Sequence, residues 1–177
     1  MALAPYEQGE LDGLCGIYAS VNAIRLIDKT MHGQKSVTLF NKLLRCLEKR
    51  GGLSSVATNG MYLRDLNIIL NEVVNKRYGI VVERPFCWSR KRPLDHLLSE
   101  IETFLEEDSG RAVIASVGGG MYHWSVIARV TRKEIHFFDS YSIKKLKRRY
   151  FTTGKVTNKK PYYFDKKDVF FLSKKRT

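Results

Sequence analysis

What most constrains the fold of this chain is a change of period partway along it. Up to about residue 107, apolar residues recur at three- and four-residue spacing; beyond it they fall in short runs rich in β-branched and aromatic residues. A first helix is expected from Cys15 to about Asp28, with Leu14, Ile17, Val21, Ile24 and Ile27 on its apolar stripe and Asp12 near its start. A second, SVTLFNKLLRCLEKRGG, has Ser36 as its N-cap and stops at Gly51 and Gly52; a third runs from Asn59 to about Arg77, before Gly79. IVVERP is a short strand, and PLDHLLSEIETFLEE a helix with Pro93 in its first turn. RAVIASVG, YHWSVIARV and EIHFFDSY then read as strands, and PYYFDKKDVFFLS adds one more. The expected fold is α+β: an N-terminal helical part packed on a C-terminal, mostly antiparallel sheet, with a site in the crevice between them.

At 177 residues the chain, 1–177, fits one domain, and its 44% hydrophobic content excludes a disordered protein. No apolar run approaches the roughly 20 residues of a membrane span, so a soluble chain is expected. The start, MALAPYEQGELDG, lacks the features of a secretory signal. Cys15, Cys46 and Cys87 have no CxxC spacing, which argues against a zinc site and a disulfide framework. A reducing, cytoplasmic home is expected, with no metal or cofactor; an unconventional export route would leave no mark in the sequence.

The net charge of +13 is local. Residues 144–177 hold 13 of the 31 Lys and Arg but only 2 of the 18 Asp and Glu, a net of +11. The basic C-terminal segment thus reads as an addition to the domain body. Its mixture of cations with Tyr and Phe suits a solvated sheet edge, in which Lys discourages pairing. It equally suits an acidic protein partner, an anionic membrane surface or nucleic acid, engaged through Lys144–Lys160.

The chemistry centres on QGELDGLCGIYASVNAI. A cysteine reacts as thiolate, a form favoured at a helix N-terminus beside an imidazolium. Cys15 has the first of these, and Gly13 and Gly16 would leave it uncrowded and open to a substrate. A free cysteine is also a common buried hydrophobe, so the nucleophile reading depends on a base. Of the four histidines, His32 lies in a loop, His96 on an amphipathic helix and His136 on a strand. His123 follows the glycine run GGGMY and opens HWSVIARV. If that strand and EIHFFDS form a hairpin turning at Thr131 to Lys133, His123 directly faces Asp139, and their Cβ atoms lie about 4.5 to 5.5 Å apart. An Asp there holds an imidazole in its useful tautomer; the plainer alternative is that Asp139 only ends a strand. Gln8 and the Cys15 backbone amide are the expected oxyanion donors. Asn22 either supports the site or makes a packing contact, and Trp124 either shields the His–Asp pair or fills the core.

In this order, Gln8, Cys15 in DGLCGIYASVNA, His123 in YHWSV and Asp139 in FFDS resemble the papain-like cysteine peptidase superfamily. The short length and CGxYxxxNA are similar to its compact branches, the bacteriocin-exporter peptidase domains and the Josephin-type hydrolases. The likeness spans about residues 6–142; the chain lacks the Trp that follows the nucleophile in papain itself, and the basic tail matches no part of those branches. The resemblance implies a papain-like fold and a Cys15–His123–Asp139 triad with Gln8 at the oxyanion. It also implies a protease or isopeptidase/deamidase that cleaves an amide bond of a protein or peptide substrate through a thioacyl-enzyme intermediate. The alternatives are an acyltransferase or transglutaminase-type enzyme with the same triad, and a catalytically idle papain-like module that binds an acidic partner or nucleic acid through its basic segment.

Overall fold

The computed structural model describes residues 3–10, 12–88 and 93–175. Helix α1 is Cys15–Ile27, α2 Gln34–Glu48 and α3 Leu53–Asn59. Helix α4, Leu63–Ile69, passes through a π-helical stretch, Leu70–Asn75, into α5, Lys76–Tyr78. The helix expected from Asn59 therefore starts at Leu63. The reason is Gly60, whose φ of 84° breaks the chain between α3 and α4. Ser36 is not an N-cap: α2 begins two residues earlier after Gly33, and the Ser36 hydroxyl donates to the Met31 carbonyl from inside the first turn. Helix α6, Leu94–Glu106, starts directly after Pro93.

The strands are β1 Ile80–Glu83, β2 Arg111–Gly119, β3 His123–Val130, β4 Glu134–Phe137, β5 Lys145–Lys147, β6 Phe151–Thr152 and β7 Tyr162–Lys174. They form one sheet in the order β1-β7-β2-β3-β4-β5, with β6 pairing parallel to β7 and every other pair antiparallel. The basic segment is thus no addition to the domain body. It contributes β7, which lies between β1 and β2 and buries Val169 to Leu172 on both faces. The charged run Asp165 to Asp168 is accommodated where the β2–β7 register shifts between Ala115 and Val117, which removes DKKD from the ladder. Only β5, with both lysines exposed, matches the expected solvated edge; Arg176 and Thr177 lie outside the described residues.

Both faces of the sheet are covered. On one, Ala112, Ile114, Trp124, Val126, Phe170 and Leu172 pack with α1, α2 and α4; on the other, Val113, Ala115, Ile127 and Phe171 pack with Leu97, Leu98 and Ile101 of α6. Helix α1 is buried nearly all round, so its apolar stripe understates its place: even Ser20 and Asn22 are fully enclosed. The architecture is a mixed helix and antiparallel-sheet fold, with helices on both faces of the sheet.

Candidate active site

The site begins with the turn that starts α1. Asp12 Oδ1 accepts the Leu14 N–H at 3.0 Å, and the Gly13 N–H donates to the Ala57 carbonyl at 2.8 Å, so Cys15 becomes the first helical residue. The two flanking glycines do not leave space for a substrate. A Cβ on Gly13 would meet the Val56 carbonyl and sit 2.7 Å from the Gly60 nitrogen, and one on Gly16 would meet the Met61 side chain. The protein's own chain takes up the openness expected there. The same Met61 carbonyl accepts the Trp124 indole N–H at 2.7 Å, which ties the α3–α4 junction to the start of β3. Trp124 is a core residue packed against Phe170.

His123 and Asp139 meet, but not through the expected register. Val130 pairs with Ile135 and Arg129 with His136, because Thr131 and Glu134 close a two-residue loop around Arg132 and Lys133. The register then shifts at Ala128, so that Ile127 pairs with Phe137 and the Phe138 N–H donates to the Val126 carbonyl at 2.9 Å. Continued by two residues, this places Asp139 beside Ser125, with His123 as its diagonal neighbour. Without the bulge at Ala128, Asp139 would oppose Val126 and turn to the other face. The His123 Nε2 and Asp139 Oδ2 are 2.7 Å apart.

Asp139 lies beyond the last residue of β4 and is held as an anion. Its Oδ1 accepts the Tyr141 N–H at 2.7 Å and the Ile143 N–H at 3.3 Å. Burial favours its neutral acid, but the bond to His123, the imidazolium charge and the Tyr141 amide together hold its pKa below the ordinary carboxylate value. The buried Ser125 hydroxyl also favours the anion from nearby, without a well-aligned hydrogen bond. For His123, burial opposes the cation; the bond to Asp139 and then the Cys15 side chain outweigh it and raise the pKa to about 9. Cys15 is thus the ring's other polar neighbour, and with Nε2 committed to Asp139 it is Nδ1 that is left for it. Cys15 is only 7% exposed, the His123 side chain 11%, and the Asp139 side chain not at all.

Gln8 joins the two halves of this arrangement. Its N–H donates to the Ser140 carbonyl at 2.8 Å, directly after Asp139, and its Nε2 donates to the Asp12 carbonyl, three residues before the start of α1. Its Oε1 is buried without a partner among the described residues. Asn22 supports the segment that carries it: Oδ1 accepts the Tyr6 N–H at 2.8 Å and Nδ2 donates to the Tyr6 carbonyl at 3.0 Å. Arg25 adds a bond to the Ala4 carbonyl at 2.6 Å and places its guanidinium over the Tyr6 ring. Ser142 donates to Glu7 from the opposite side. The roles of Tyr6, Arg25, Ser125 and Ser142 have no local sequence signal, since each depends on a partner far along the chain.

The remaining histidines stand apart. His32 and His96 are exposed, and His136 is half-buried with Glu134 3.6 Å away. Among the described residues, no cluster of three or more His, Cys, Asp or Glu is arranged to hold a metal, and no helix is long and apolar enough to cross a membrane. Comparison with family models, with curated proteins and with solved structures finds no match to this chain.

Proposed function

We propose that the protein is a cysteine hydrolase of papain-like architecture that cleaves an amide bond in a protein or peptide substrate. The observation that carries this reading is the His123 ring, fixed by a buried carboxylate on one nitrogen and with Cys15, at the start of α1, as its other polar neighbour.

In the proposed reaction the Cys15 proton already rests on His123, whose raised pKa keeps the ring charged at neutral pH, and the sulfur attacks the scissile carbonyl carbon as thiolate. The carbonyl electron pair moves to oxygen, and the oxyanion is met by the Cys15 backbone N–H and the second N–H of the Gln8 carboxamide, whose first is held by the Asp12 carbonyl. Collapse breaks the C–N bond, and His123 gives the proton to the leaving amine, which leaves a thioester on Cys15. Water then adds to the thioester with His123 as base; the acid departs, and the proton taken from water stays on His123 beside the freed sulfur. Asp139 orients the ring and stabilises its charged form throughout.

The test needs no knowledge of the natural substrate. Treated with p-nitrophenyl acetate and quenched in acid, the protein should release one equivalent of nitrophenolate in a burst and carry the acetyl group on Cys15 by peptide mass spectrometry. Neither should occur in Cys15→Ala. Acetylation spread over lysines, with no burst, would contradict the proposal.

A further inference from the structure

Far from the candidate active site, a concavity of about 670 Å³ is lined by Arg132 and Lys133 of the β3–β4 loop, Lys147 at the end of β5, Arg148 and Arg149 after it, and Lys160. We propose that it binds a compact group carrying several phosphates. The two acids at its wall are already engaged: Asp95 pairs with Arg148 at 2.9 Å and Glu134 with Lys145 at 3.1 Å. That leaves Arg132, Lys133, Lys147, Arg149 and Lys160 around one hollow with no carboxylate paired to any of them among the described residues.

The backbone that carries these cations is held in place. Thr131 closes the Arg132–Lys133 loop through its backbone and hydroxyl, and the Arg148 N–H donates to the Lys133 carbonyl at 2.9 Å. The Lys147 backbone lies opposite Glu134 in the β4–β5 ladder, and the Lys160 backbone sits in a bridge with Thr157. Five cations gathered round one hollow, with no salt-bridge partner among the described residues, repel one another, a cost that a bound polyanion relieves.

The shape and lining select the ligand. A hollow of this size lies within the roughly 300 to 1,000 Å³ typical of small-ligand sites, and Arg forks suit phosphate oxygens. A nucleic-acid track would need exposed rings for base stacking. The aromatic residue of this hollow, Phe151, is fully buried and stacks on Phe164, and the nearby Tyr150 hydroxyl accepts a bond from Arg149. The site is independent of the proposed hydrolase reaction, because β3 separates them: its eight residues span on the order of 20 Å between His123 and the loop after Val130.

The phosphates belong either to a soluble molecule or to a lipid headgroup, and two probes separate these sources. Inorganic triphosphate should bind in calorimetry with one-to-one stoichiometry, and phosphatidylcholine vesicles with and without phosphatidylinositol bisphosphate report on the lipid source. Binding to either, weakened about tenfold or more, about 1.4 kcal/mol, by the double charge reversal Lys147→Glu with Arg149→Glu, supports the proposal and identifies the source. The control is Lys42→Glu with Arg45→Glu in a second basic groove on α2, which should leave binding unchanged. Equal loss in both double variants, or no binding of either probe, would overturn the proposal. So would tighter binding of a twelve-nucleotide single strand than of triphosphate. All four substituted side chains are at least partly exposed, and circular dichroism verifies that each variant is folded.

Discussion

His123 Nε2 and Asp139 Oδ2 stand 2.7 Å apart, although no ladder pair joins their backbones: Asp139 lies beyond β4, and the bulge at Ala128 brings it to His123 as a diagonal neighbour. The pair therefore depends on the carboxylate being anchored independently of the strand, by the amides of Tyr141 and Ile143.

Asp139→Asn keeps the shape and one acceptor but removes the charge. The His123 pKa should fall from about 9 toward its ordinary value, measured by NMR titration of the ring. Acylation of Cys15 should slow by about a hundredfold or more, the scale at which loss of an oriented base is felt. An unchanged His123 titration would show that the carboxylate does not control the ring.

The alkaline limb of the proposed activity follows from the same value. The imidazolium that protonates the leaving amine is lost as pH rises through about 9, so the rate should fall there, and in Asp139→Asn the limb should move to lower pH. Stability carries the same sign. A histidine whose pKa is raised on folding contributes stability that is fully present below about 6.5 and is lost as pH climbs through about 9. Urea unfolding of the wild type should therefore show a decline over that window that His123→Gln lacks; equal slopes in both would contradict this.

Asn22→Ala removes both bonds to Tyr6 from a fully buried position and leaves the Tyr6 amide and carbonyl unpaired. The expected cost is about 2 to 3 kcal/mol, read as a lower urea midpoint at constant m. Because Gln8 lies two residues beyond Tyr6, burst acylation should slow as well. A variant with wild-type acylation would show that the segment needs no such anchor.

Most of the fold was legible in the sequence, and the failures have physical causes. The periods of α1, α6, β2 and β3 are long and regular, so they define their own elements. Ser36 has the chemistry of an N-cap, but Gly33 lets the chain turn into α2 earlier. The strand in PYYFDKKDVFFLS was expected, but the charges of the last 34 residues obscured its place between β1 and β2, where Val169 to Leu172 are buried while DKKD stands outside the ladder. The meeting of His123 with Asp139 was anticipated from hairpin symmetry as a direct pair, but the loop centre lies further along the chain and the bulge takes back only one residue of that shift, which returns Asp139 to the face of His123 as a diagonal neighbour in a way that no local pattern displays. Gly13 and Gly16 were legible as special and misread as to why, because the atoms that need their space, on Val56, Gly60 and Met61, come from another helix junction.

That correction has its own test. Gly13→Ala meets backbone that cannot move aside and should cost about 1 to 3 kcal/mol. Gly16→Ala meets the flexible Met61 side chain and should cost less. The reverse order of unfolding midpoints would show that the Met61 side chain yields less than the backbone of Val56 and Gly60.

The central claim is that His123 activates Cys15, and competition among the three free thiols tests it most directly. Cys15 is buried, whereas Cys46 and Cys87 are both more accessible, so exposure alone would make Cys15 the slowest to react. With iodoacetamide at neutral pH, followed by peptide mass spectrometry, Cys15 should be alkylated fastest in the wild type and should lose that lead in His123→Ala. A Cys15 that reacts no faster than Cys46 and Cys87, or whose rate is the same without the imidazole, would contradict the account.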